Sequence, residues 1–138
     1  MRTQIRTAVA AGFVILVLAI TGPVYAQSNV DECKTRIGIV QRDLDAIFQD
    51  GGIGGNNQQQ TYSSLTSKLQ GARAKLNQRK FADALQKLQD FKTAVIAMSD
   101  SAKPKLSQAD ADLLLDGGGG DFPDEGVNGA IACVALLP

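Results

Sequence analysis

Residues 61–100 read TYSSLTSKLQGARAKLNQRKFADALQKLQDFKTAVIAMSD, and the apolar positions in this stretch decide the fold. They form two runs. The first is Tyr62, Leu65, Leu69, Ala72 and Leu76. The second is Phe81, Ala84, Leu88, Phe91, Val95 and Met98, broadened by Leu85 and Ile96. Steps of three and four residues place side chains on one face of a helix. Only Asn77 to Lys80 separates the runs, and so short a connection makes neighbouring helices antiparallel. The stretch is therefore predicted to be a helical hairpin with both stripes turned to a common core. Gly71 interrupts the first helix, where glycine costs about 1 kcal/mol relative to alanine. It marks either the close approach of another helix or simple tolerance.

The same period continues on both sides. Upstream, SNVDECKTRIGIVQRDLDAIFQDGG (28–52) spaces Val30, Cys33, Ile37, Val40, Leu44 and Ile47 along one helical face. Asn29 with Glu32 three residues on is a capping pair, and Gly51-Gly52 is a stop. The polar IGGNNQQQ (53–60) has no periodicity and reads as a loop. Downstream, Pro104 bars the hairpin from running on. KLSQADADLLLDG (105–117) predicts a short helix capped by Ser107, with Asp110 in its first turn, Leu113, Leu114 and Leu115 as its packing face and Gly117 at its end. Beyond the Gly/Asp-rich stretch 116–126, Val127, Ala130, Ile131 and Val134 recur at helical spacing, against the bias of Gly126 and Gly129. No stretch alternates polar and apolar residues over the length of a strand. The expected fold is all-α: a small antiparallel bundle of four to five helices.

The first 26 residues stand apart. A basic start with Arg2 and Arg6 leads into an uncharged run of 13 residues, Ala8 to Ile20, and then to the small-residue ending Val24-Tyr25-Ala26. That is the pattern of a secretory signal peptide, and the run is shorter than the ~20 residues of a membrane-spanning helix. Residues 1–26 are expected to be cleaved, leaving residues 27–138 as one domain in the periplasm or outside the cell, with no membrane association. In an oxidising compartment the chain's only two cysteines, Cys33 and Cys133, are expected to form a disulfide. The glycine run after Asp116 frees the chain to reverse, so that the segment bearing Cys133 can return to the apolar face of the first helix.

Charge is balanced overall but unevenly placed. Residues 61–105 hold nine basic and three acidic side chains, whereas residues 106–138 hold six acidic and no basic ones. An intramolecular reading packs the acidic tail near the basic hairpin; the alternative is a two-faced surface for a partner. Neither reading calls for nucleic acid.

Within this frame the middle of the chain resembles the FIMAH domain, a small helical module of bacterial extracellular proteins. The resemblance covers residues 63–115. It lies in Lys68, Leu69, Ala72 and Leu76 of the first hairpin helix, in Ala84, Leu88, Phe91 and Val95 of the second, and in the lysine-containing turn and leucine-rich helix from Lys105 to Leu115. The chain departs from the family at Ser101-Ala102-Lys103-Pro104, where a glycine is common, and at the glycine run that replaces a continuing helix. The module is often appended to secreted enzymes and offers no catalytic residues that carry over to this chain. The resemblance implies export and an accessory or binding role.

The chemistry available is sparse. The chain has no histidine, which removes histidine-based triads and the commonest transition-metal ligand. Asp43/Asp45 and Asp110/Asp112 are two residues apart on helices, so their carboxylates diverge. Asp116, Asp121, Asp124 and Glu125 are the candidate oxygen ligands for calcium, but their spacing does not follow the alternation of a calcium loop. DGGIGGNN (50–57) is a weaker form of the same idea. We therefore expect no catalytic residues, no cofactor and no bound metal, and a protein as the partner. The expected role is binding or structural support. The alternatives are an inhibitor or masking partner of a secreted enzyme, which would present an apolar groove between the hairpin helices, and a carboxylate-based enzyme.

Overall fold

The computed structural model describes residues 29–118 and 125–138, and the signal-peptide reading of residues 1–26 lies outside them. Five helices follow in order: α1 (Val30–Gln49), α2 (Gln58–Asn77), α3 (Phe81–Ser99), α4 (Gln108–Asp116) and α5 (Val127–Ala135). There is no strand among the described residues. The bundle is closed by one disulfide, Cys33–Cys133.

α2 and α3 form the antiparallel hairpin and share the most extensive helix contact. Their turn has a definite hydrogen-bond pattern. The Lys80 N–H donates to the Lys75 carbonyl at 2.9 Å and the Arg79 N–H to the Leu76 carbonyl at 3.0 Å, with Arg79 at a φ of 56°. This is the Schellman arrangement, which uses one left-handed residue to satisfy the last carbonyls of a helix. An ion pair between Lys75 and Asp83 at 3.1 Å clips the turn from outside. Inside, Leu65, Leu69, Ala72 and Leu76 meet Ala84, Leu88, Phe91 and Val95, all fully buried. The seam between the two helices is thus filled with side chains.

Two positions depart from the expected stripes. Thr61, rather than Tyr62, opens the buried face of α2, and Tyr62 is half-buried at the edge. Ile96, expected to widen the α3 stripe, is 37% exposed because it follows Val95 by one residue and so turns away from the core. At Gly71 an added Cβ would lie 3.6 Å from the Lys87 side chain and meet no neighbouring backbone. Tolerance is the correct reading there, and the aliphatic stem of Lys87 lies over the gap. Gly71→Ala should therefore stabilise the protein by about 0.5–1 kcal/mol through helix propensity, read as a higher urea midpoint with an unchanged slope.

α1 begins where Asn29 accepts the Glu32 N–H at 2.6 Å, with Asp31 and Glu32 favouring the positive end of the helix. It buries Cys33, Ile37, Val40, Leu44 and Ile47, and the chain leaves it through Gly51 at a φ of +74°. The next segment corrects the loop expected at 53–60. Gln58, Gln59 and Gln60 already belong to α2, and Ile53 is buried against the core. The Gly54 N–H donates to the Lys105 carbonyl at 2.7 Å, so this connection is pinned to the one that precedes α4.

α4 starts at Ser107, whose Oγ accepts the Asp110 N–H at 3.1 Å and whose hydroxyl donates to the Asp110 carboxylate at 2.7 Å. Of its three leucines Leu114 is fully buried, and Leu113 and Leu115 pack at the margin. α5 then lies against both α1 and α3, burying Val127, Ala130, Cys133 and Val134. The junction between α4 and α5 is close. A Cβ on Gly126 would overlap the Leu115 carbonyl and the Asp116 amide nitrogen. Gly126→Ala should cost about 1–3 kcal/mol by overpacking, toward the upper end because both obstacles are backbone atoms. Thermal melts of that variant and its parent measure the difference. A polar strut crosses the same junction: Lys92 Nζ donates to Asn128 Oδ1 at 2.8 Å, and Asn128 Nδ2 donates to Asp116 Oδ1 at 2.6 Å.

Candidate functional site

The fold brings Cys33 on α1 and Cys133 on α5 together with a Cα–Cα distance of 5.5 Å, both side chains buried. The carboxylate pairs go their separate ways. Asp43 takes the Arg42 guanidinium at 3.2 Å, while Asp45 accepts from Tyr62 Oη at 2.8 Å and from Gln41 Nε2 at 2.6 Å. Asp110 is engaged by Ser107, and Asp112 accepts from Gln108 at 2.9 Å. Of the four candidate calcium ligands, Asp116 accepts from Asn128, and Asp121 and Asp124 lie outside the described residues. Among the described residues no three His, Cys, Asp or Glu side chains gather as a metal site. No helix among them is long and apolar enough to cross a membrane.

The charge pattern resolves differently from its simplest reading. The acidic C-terminal segment does pack beside the hairpin, since α4 and α5 both contact α3. Yet no ion pair among the described residues joins the two. Lys34–Asp31 at 2.8 Å, Arg36–Glu32 at 3.1 Å and Arg42–Asp43 at 3.2 Å all lie within α1, and Lys75–Asp83 spans the hairpin turn. Of the nine basic side chains in residues 61–105, Lys75 has its carboxylate and Lys92 its amide partner. The remaining seven form no ion pair among the described residues, and Arg73, Arg79, Lys80 and Lys87 stand exposed on the hairpin. Apolar packing positions the acidic segment, and most of the hairpin's positive charge is left facing solvent.

One part of this surface is concave. Between α1 and α2 runs an open groove of about 480 Å³, lined by Asp31, Lys34, Thr35, Gly38, Ile39, Arg42 and Arg73. Gly38 forms its floor: a Cβ built there would meet no atom within 4 Å. Lys34 Nζ is held by Asp31 and by Asn77 Oδ1 at 3.1 Å, at one end. Arg42 projects with 71% of its side chain exposed, and Arg73 reaches in from α2. Of these three cations Lys34 is paired with Asp31 and Arg42 with Asp43, and Arg73 makes no ion pair among the described residues.

Farther along the same seam the two helices are wedged by polar contacts. Gln41 Nε2 bridges Asp45 and, at 3.3 Å, Thr66 Oγ1, and the rings of Phe48 and Tyr62 stack with centroids 4.3 Å apart. Donation to Asp45, reinforced by desolvation, holds the Tyr62 phenol above its ordinary pKa. Folding favours the protonated phenol, so this contribution is intact at neutral pH and fades as the pH rises through the raised value. The wedge fixes the spacing of α1 and α2 and with it the width of the groove.

Sequence reasoning passed over Gly38 and Arg73. The available signal was a glycine inside a helix but off its apolar stripe, where neither capping nor close packing accounts for it. No protein-family model, no curated protein and no solved structure matches the chain.

Proposed function

We propose that this chain is an exported, non-catalytic helical module that binds an acidic partner protein through the basic surface of its α2–α3 hairpin. The observation that carries this reading is the charge left unpaired on the hairpin. The chain holds its own acidic segment close by and, among the described residues, still leaves most of the hairpin's cations without a carboxylate. A set of like charges kept in solvent stabilises the fold little, but it raises the rate of encounter with an oppositely charged surface and helps select it. The disulfide suits an oxidising compartment, in line with the secretory signature of residues 1–26. The resemblance to the FIMAH module points in the same direction.

The test is capture from a periplasmic extract with the wild-type chain and with a Lys80→Glu/Lys87→Glu variant as bait. The expected result is a protein retained at low ionic strength, released at high salt and absent from the variant. Identical captures on both baits would overturn the reading. The N-terminus of the exported protein should be Gln27, which Edman sequencing of periplasmic material checks.

A further inference from the structure

We infer that the groove between α1 and α2 is a docking site for an extended acidic segment of a partner protein, gripped by Arg42 and Arg73 over the floor made by Gly38. The inference rests on the reading of the basic surface as a binding face and assigns the contact to its border with α1, where Arg73 of the hairpin meets Arg42.

Three observations converge on the groove. The first is Gly38 itself. It lies inside α1, where glycine is unfavourable, yet there is no atom within 4 Å of where its Cβ would be. Packing within the chain therefore does not require it, and its effect is to keep the groove deep. The second is the state of the cations. Arg73 makes no ion pair among the described residues, and Arg42, with 71% of its side chain exposed, pairs only with its half-buried neighbour in sequence, Asp43. The Arg73 guanidinium is available for a carboxylate, the group its planar fork fits in a bidentate way, and Arg42 keeps the N–H groups that Asp43 does not take.

The third is the groove's length. Lys34 and Arg42 are eight residues apart on α1, about 12 Å at the helical rise. An extended chain covers that distance in about four residues. A small anion could engage only one end. A peptide with carboxylates at every fourth position reaches both, and its intervening small side chains would lie against Gly38 and Ile39. The groove is open along its length, as an extended segment needs.

The experiment uses fluorescence anisotropy with a short labelled peptide that carries aspartate at every fourth position among alanines. It is titrated with the purified, disulfide-intact chain at low ionic strength. Binding is expected, and the same peptide with asparagine replacing aspartate should not bind. Arg73→Gln should weaken binding about tenfold, the loss of one charge-assisted bidentate pair. Gly38→Gln should weaken it by a similar factor while raising the melting temperature, because glutamine suits a helix better than glycine. That opposition separates a filled groove from a damaged fold. Lys103→Gln, on the connection after α3, should leave the affinity within about twofold.

Unchanged affinity in both Arg73→Gln and Gly38→Gln would overturn the groove. If Lys80→Gln/Lys87→Gln abolished binding in that case, the basic-surface reading would survive alone. No binding of any acidic peptide by the parent chain at low salt would remove both. Displacement of the peptide by millimolar inorganic phosphate would reassign the site to small anions. Sedimentation showing dimers that Arg73→Gln dissolves would make a second copy the occupant and overturn the assignment to a partner protein.

Discussion

Replacing Cys33 and Cys133 together by alanine should lower stability by about 4.7 kcal/mol, the loop-entropy value for a closed loop of about 100 residues. The bond joins positions 100 apart in sequence, so the unfolded chain gains much freedom when it is lost. Domains of this size have about 5–15 kcal/mol in all, so the variant should be partly unfolded at ordinary temperatures. α5 should come loose first. It is nine residues long, too short to be helical alone, and it sits on α1 and α3 through a handful of small side chains. Limited proteolysis of the reduced protein should therefore cut after Gly117 before it cuts the α2–α3 hairpin. Equal melting temperatures with and without reductant would contradict this, as would free thiols, by alkylation mass spectrometry, in protein purified without reductant.

The second large effect belongs to Phe91. Among the described residues it is the largest side chain that is wholly shut from solvent, placed on α3 where the stripes of α2 and α3 meet. Phe91→Ala should cost about 3–5 kcal/mol, combining lost burial with the cavity left behind. Leu88→Ala, one turn earlier, should cost about 2–5 kcal/mol. Ile96→Ala provides the contrast, because that side chain stands partly in solvent; its loss should stay within about 0.5 kcal/mol. Urea denaturation of the three variants measures the difference. A similar cost at all three positions would mean that the hairpin packs through a different face.

The helical frame could be read before any coordinates because its signals are local. The stripe from Cys33 to Ile47, the cap at Asn29 and the cap at Ser107 each depend on residues within a turn or two. The disulfide followed from composition, there being one possible pair. What escaped depends on partners distant in sequence. Gln58 to Gln60 are good helix formers that face solvent, so the apolar period does not register them. Ile53 is one apolar residue among glycines, and it is buried only because the connection before α4 comes to meet it. Ile96 looked like part of a wide stripe, but the helix has only one core-facing side at that height. The site was less legible still. The count of basic residues was in the sequence, but whether acidic neighbours neutralised them depended on how α4 and α5 packed. Arg73 and Gly38 become neighbours only when α2 folds back along α1.

The position of α5 between α1 and α3 also bears on the order in which the chain acquires its shape. α2 and α3 are neighbours in sequence and can pair within microseconds of their synthesis or release, with little loop to close. α1 cannot finish so early, because one of the two helices that cover it most extensively is α5. Until α5 arrives, Cys33 and the apolar residues beside it have no cover on that side and are exposed to aggregation. The hairpin is therefore expected to form first, with oxidation following the docking of α5, an order that pulsed alkylation of Cys33 and Cys133 during refolding would check. A catalyst of thiol oxidation that acted earlier would find the two sulfurs far apart on a half-built bundle.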